Sequence, residues 1–213
     1  MTDNFKNYKE FIGLLGGLPE TNEKGNLDKY YVIELMRRGK DNPDMPAANY
    51  HFKNYYIYSW RDLERYEQEI KDICTLLHLR AYCSVNYKLM SQVALDTLAE
   101  SARRLAAHDY KKFYAIFESC SGKFIEHGNN LWIVDIDGYP PTEKLQKIRD
   151  IIEMCDSGYE KNIVYEMHTR HGLHLITRPF NIKQYERHYS FHFDSVSRPE
   201  IKKNHLTLLY ENL

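Results

Sequence analysis

The stretch that constrains this chain most is Leu131-Trp132-Ile133-Val134-Asp135-Ile136-Asp137-Gly138. Four apolar residues run into two acids spaced i, i+2, and Gly138-Tyr139-Pro140-Pro141 ends the run. A short run rich in β-branched and aromatic side chains, closed by turn residues, reads as a buried strand. Side chains i and i+2 of a strand point to one face. Asp135 and Asp137 are therefore expected side by side at the strand's carboxyl end. Carboxylates held that close raise each other's pKa unless a cation neutralises them. Oxygen-only ligands suit Mg²⁺ or Mn²⁺. The same spacing is also met by a plain strand end, where one Asp opens the turn and the other is solvated.

What surrounds this stretch is a mixed pattern. The 213 residues suffice for one large domain or two small ones, and the net charge of −1 argues against a generally basic nucleic-acid coat protein. Residues 30–36 and 50–59 read as strands joined by a basic loop holding Arg37, Arg38 and Lys40. Ser59 reads as the N-cap of a helix over 60–77, where Leu63, Tyr66, Ile70, Ile73 and Leu77 recur at helical spacing. A strand over 80–86 and a helix over 89–107 follow, the latter with Val93, Leu98, Ala102, Leu105 and Ala106 as its apolar positions. Residues 110–117 read as a further helix. The Gly- and Asn-containing segment 119–130 divides the chain into modules 1–125 and 126–213. Beyond the acidic strand come a helix over 143–154 capped by Thr142, strands over 162–168 and 173–177, a helix over 181–189 and a closing strand over 206–210. This β-α-β-β-α-β order is the split βαβ pattern of a ferredoxin-like sheet.

That pattern makes the first and third strands of the unit neighbours. His174, at the start of the third, is then expected beside Asp135 and Asp137. Gly172 would let a substrate approach the backbone, and Arg170 and Arg178 flank the histidine as phosphate partners. Arg37, Arg38, Lys40, Arg80 and Lys88 are candidates for a groove tracking a nucleic-acid backbone, with Tyr82 and Tyr87 for stacking. The 18 tyrosines more often fill core positions than bind bases. Cys74, Cys83, Cys120 and Cys155 show neither zinc-ribbon spacing nor a disulfide framework, so reduced thiols in a cytoplasmic protein are expected. The segment Met1-Thr2-Asp3-Asn4-Phe5-Lys6 has no signal-peptide pattern, and no window is apolar enough to span a membrane.

An Asp-x-Asp ending an apolar strand, then helix, strand and small-x-His opening the next strand, resembles the archaeo-eukaryotic primase superfamily, in its phage and plasmid primase-like branch. The resemblance covers about residues 80–210 and includes the strand over 80–86. It implies an α+β fold in which an N-terminal α/β module packs on a C-terminal RRM-like or ferredoxin-like (βαββαβ) module. It implies that Asp135 and Asp137 bind Mg²⁺ or Mn²⁺, that the His of Gly172-Leu173-His174 contacts nucleotide phosphates, and that a third acid completes the metal site. Phe193-Asp194 matches that third motif best, and Glu211 matches it less well. Arg170, Gly172, Arg178, Arg80 and Lys88 would bind nucleotide. The implied activity is template-directed nucleotidyl transfer in replication of a phage or mobile element. Its partners would be nucleoside triphosphates, a single-stranded DNA template and a replicative helicase. The chain departs from the family where Arg170-His171-Gly172 replaces the usual Ser-Gly of the second motif, and the zinc-binding element of many members is missing.

Two other readings stay open. One is a binding module on a decayed primase scaffold. The other is a metal-independent phosphoesterase using His174 and His205, each of which precedes a Thr.

Overall fold

The computed structural model describes residues 1–21, 28–39, 49–123, 130–194 and 197–212. In chain order the elements are β1 (Thr2–Asp3), α1 (Phe5–Leu14), β2 (Lys29–Arg38), β3 (Asn49–Ile57), α2 (Trp60–Leu77), β4 (Arg80–Ser84), β5 (Lys88–Leu89) and α3 (Met90–Ala106). There follow α4 (Ile116–Lys123), β6 (Trp132–Asp137), α5 (Thr142–Glu153), β7 (Ile163–Thr169), β8 (Gly172–Thr177), α6 (Ile182–His192), β9 (Glu200–Lys203) and β10 (Leu206–Glu211). The chain is thus mixed α+β with two antiparallel sheets.

The first sheet runs β1-β10-β4-β2-β3, with β5 added to β2, and the second runs β7-β8-β6-β9. In the second sheet the first and third strands of the unit lie at the centre, as a split βαβ order requires. One strand departs from expectation. The closing strand of this unit is β9, not residues 206–210, and those residues form β10 in the first sheet. Asn204, with φ 49, turns the chain between them. The reason is burial. Thr207, Leu208, Leu209, Tyr210 and Glu211 are all buried, and β10 is paired on both edges, by β1 and β4. The short charged β9 suits the exposed edge beside β6.

Helix starts follow local chemistry. Ser59 Oγ accepts from Asp62 N at 3.1 Å, and Asp62 Oδ2 accepts from Ser59 N at 3.0 Å. This capping box is worth about 1 kcal/mol. Helix α5 begins at Thr142 itself, with Pro141 at the N-cap. The 110–117 segment yields a 3-10 turn at Phe113–Ala115 before α4. In α3 only Val93 is buried, while Leu98 and Leu105 are exposed. Beyond Val93, its periodicity marks an apolar stripe that the described residues leave exposed at Leu98 and Leu105. Lys40 and residues 124–129 lie outside the described residues.

The second sheet presents two unlike faces. Trp132, Val134 and Ile136 join Ile148, Ile151 and Ile152 of α5 and Tyr185 and Tyr189 of α6 in one buried cluster. On the other face Ile133, Met167 and Ile176 belong to the core that also holds Tyr31, Ile33, Leu35, Cys83 and Leu209 of the first sheet. Two buried asparagines fasten the sheets together. Asn86 Nδ2 donates to Leu131 O at 3.0 Å, and its Oδ1 accepts from Leu131 N at 2.7 Å. Asn4 Nδ2 donates to His168 O at 2.8 Å and Leu208 O at 2.9 Å. The amino end of β6 is thereby buried between the sheets, and its carboxyl end opens into a cleft.

Candidate active site between the two sheets

The site begins with register. Asp135 lies opposite His174 on β8 and opposite Glu200 on β9, and Ile133 lies opposite Lys202. Cross-strand partners share a face, as do residues i and i+2. The face that buries Ile133 therefore also carries Asp135, Asp137, His174, Glu200 and Lys202, the last standing opposite Ile133 and reaching along the sheet to Asp135.

Contacts follow from this placement. His174 Nε2 lies 3.2 Å from Asp135 Oδ1, and the Lys202 ammonium bonds Oδ2. Glu200 reaches the same ammonium at 3.4 Å. His174 Nδ1 lies 2.8 Å from Thr207 Oγ1 of β10. Burial raises the Asp135 carboxyl's pKa, but the hydrogen bonds and charges of His174 and Lys202 outweigh it and hold the group well below the carboxylate range. Burial likewise lowers the Lys202 ammonium, and its bond to Asp135 more than compensates, so its pKa is raised. Asp135 and Lys202 are thus a fixed pair of opposite charges. Asp137, two residues on, is exposed.

Two cavities share the wall formed by Asp135, Asp137 and Glu200. The one between the sheets, about 250 Å³, is lined by Arg38, Arg80, Tyr82 and Leu208 of the first sheet and by Arg170, His171, His174 and Lys202 of the second. The other, about 340 Å³, runs towards α5 and is lined by Lys144, Ile148 and Arg198. Cationic side chains thus stand on both sides of three carboxylates.

The structure brings together Asp135, Asp137, His174, Arg170 and Arg80 from the sequence expectation. Arg80 is largely committed, since Glu211, wholly buried, lies 3.1 Å from its Nε. Gly172 serves the sheet and not a substrate. A Cβ there would run into the carbonyl oxygen of Ile136 and lie 3.1 Å from that of Gly138. Arg178 sits at the far end of β8, 4.4 Å over the ring of Tyr159. Lys88 lines a separate cavity with Glu34, Glu118 and His205, where burial pulls its pKa down. Asp194 follows α6, is exposed, accepts from Ser197 N at 3.1 Å, and lines neither cavity that holds Asp135. Tyr82 lines the cleft and its hydroxyl accepts from Arg38 at 3.3 Å. Tyr87 is used in packing, edge-on to Tyr31 and under Lys29. His174 and His205 open on different cavities.

Glu200, Lys202 and Thr207 are the site residues that sequence reasoning missed, whereas Arg38, expected for the groove, lines the cleft. Glu200-x-Lys202 repeats the i, i+2 spacing of Asp135-x-Asp137, but it sits in no apolar run that would mark a buried strand. The donor set fits Mg²⁺ or Mn²⁺ in kind, because three carboxylates on one face offer hard oxygen ligands. The Lys202 ammonium stands in for a cation at one of those oxygens. The carboxylates are not gathered into a ready cage: among the described residues no three His, Cys, Asp or Glu side chains group closely enough to hold a metal ion.

No protein-family model matches the chain, and neither a curated protein nor a solved structure matches it.

Proposed function

We propose that the cleft is the active site of a nucleotidyltransferase of the primase-polymerase type, which adds nucleotides from nucleoside triphosphates, with release of pyrophosphate, on a single-stranded DNA template. The observation that carries this reading is the pairing of Asp135 with His174 across two central strands, inside a cleft lined by Arg38, Arg170 and Lys202. On this reading the second sheet with α5 and α6 is the RRM-like module that the primase resemblance implies, and the first sheet, completed by β10, is the module that packs on it. Asp135, Asp137 and Glu200 would hold Mg²⁺ or Mn²⁺. The bound ions would stabilise the attacking hydroxyl and the leaving pyrophosphate.

The chain's own residues do the rest. Arg170, exposed at the β7–β8 turn, offers a planar fork to a phosphate. His174 is held from both ring nitrogens by Asp135 and Thr207, so its part is to orient Asp135 on the cleft wall. The β6–α5 and β7–β8 turns are tied together by Gly138 N donating to His171 O and Tyr139 Oη donating to Thr169 O at 2.7 Å. This keeps Asp137 and Arg170 at a fixed spacing. Gly138, with φ 75, takes the left-handed turn that the tie needs. A replicative helicase is the partner proposed to deliver the template.

Extension of a labelled primer with Mn²⁺ and nucleoside triphosphates tests the reading. The wild type is expected to extend the primer and Asp135→Asn to lose at least ~100-fold in rate. A wild type that binds single strands but extends nothing under any metal condition would favour the second reading, a binding module without catalysis. One observation supports that second reading: both Asp135 oxygens are engaged by protein cations. A two-histidine phosphoesterase needs His174 and His205 on one cavity, and they line different ones.

A further inference from the structure

Asp135 has two carboxylate oxygens. His174 takes one and Lys202 the other. A lysine ammonium is a compact single charge on a flexible stem. Here it bridges Asp135 and Glu200, two of the three carboxylates on this face. The Lys202 side chain is 24 % exposed, so its head has room to swing into the cleft while β9 holds its backbone against β6.

We propose that Lys202 is a tethered counter-ion that a divalent cation must displace from Asp135, and that the displaced ammonium then neutralises a phosphate of the incoming nucleotide. The second half rests on the reading of the cleft as a nucleotide site; the first half concerns the metal alone. Two cations competing for one oxygen exclude each other, so the unliganded protein binds a divalent ion weakly. Once the ion has taken Asp135, the ammonium is free for a phosphate, and the phosphates bring the ion further oxygen ligands. Ion and triphosphate therefore strengthen each other, and by linkage each does so by the same factor. No covalent bond changes in the exchange. The lysine is a competitor of the ion at Asp135 and a direct partner of the phosphate.

The test is a Mn²⁺ titration followed by the electron paramagnetic resonance of the free ion, with no nucleotide present. Lys202→Met keeps the stem and removes the charge. It is expected to bind Mn²⁺ at least tenfold more tightly than wild type, about 1.4 kcal/mol. The double variant Lys202→Met with Asp135→Asn is expected to lose that gain. Lys202→Gln repeats the comparison if the methionine protein does not fold, and Lys202→Arg, which keeps a cation, is expected to stay near wild type. A non-hydrolysable triphosphate is expected to tighten Mn²⁺ binding more in wild type than in Lys202→Met. Equal or weaker Mn²⁺ binding in the uncharged variants overturns the proposal, as does a gain that survives Asp135→Asn. A wild type that binds no triphosphate overturns the nucleotide reading and the second half with it, while the titration with Mn²⁺ alone still decides the first.

Discussion

The two faces of β6 carry opposite chemistry on one six-residue strand. On one face Trp132, Val134 and Ile136 are buried under α5 and α6. On the other, Ile133 is buried against the first sheet, and Asp135 and Asp137 then emerge into the cleft. The first face is used wholly for folding. The second is used for folding only as far as Ile133. A strand can thus fix a polar site to within one residue because its reverse face is already committed. A slip of one residue would exchange the faces and bury both acids under the helices.

This comparison can be broken in a definite order. The largest effect is expected from placing the acid on the wrong face. Val134→Asp buries an unpaired carboxylate in the helical layer and is expected to cost more than about 4 kcal/mol, enough to abolish folding as judged by circular dichroism. Ile136→Ala leaves a cavity beneath the helices and is expected to cost about 3 kcal/mol. For a chain of this size that lowers the melting temperature by about 6–12 °C. Asp137→Asn, on the cleft face, is expected to change stability by less than about 0.5 kcal/mol. The same change is expected to lower primer extension by about 100-fold. If Asp137→Asn destabilises as much as Ile136→Ala, the two faces do not divide the work as described. The finest contrast lies between two candidates for the third acid. Glu200→Gln is expected to reduce extension more than Asp194→Asn, since only Glu200 shares the face of Asp135.

The meeting of Asp135 with His174 was legible in the sequence because two simple rules suffice. The two-residue period sets the face, and the split βαβ order sets the neighbour. Glu200 and Lys202 were not legible, because β9 is a four-residue edge strand with a single apolar residue, Ile201, and carries no run that signals burial. Residues 206–210 were read as a strand, but a strand's local pattern does not name its partner. Thr207 enters the site from the first sheet, on β10, and local pattern is silent on such a contact between sheets. The exposed Leu98 and Leu105 of α3 make the converse point: periodicity shows that a stripe exists and not what covers it. For Gly172, glycine was the right residue to single out, but the close approach it allows is that of the neighbouring strand's carbonyl.

The most direct measurement is a crystal structure of the protein with Mn²⁺ and a non-hydrolysable nucleoside triphosphate. The triphosphate is expected in the cleft between the sheets, its phosphates on Arg170 and a Lys202 released from Asp135, with Mn²⁺ on the carboxylate wall. A triphosphate bound elsewhere, such as in the cavity of Lys88 and Glu34, or one bound in the cleft with Asp135 and Lys202 still paired and Mn²⁺ away from the carboxylates, would contradict it.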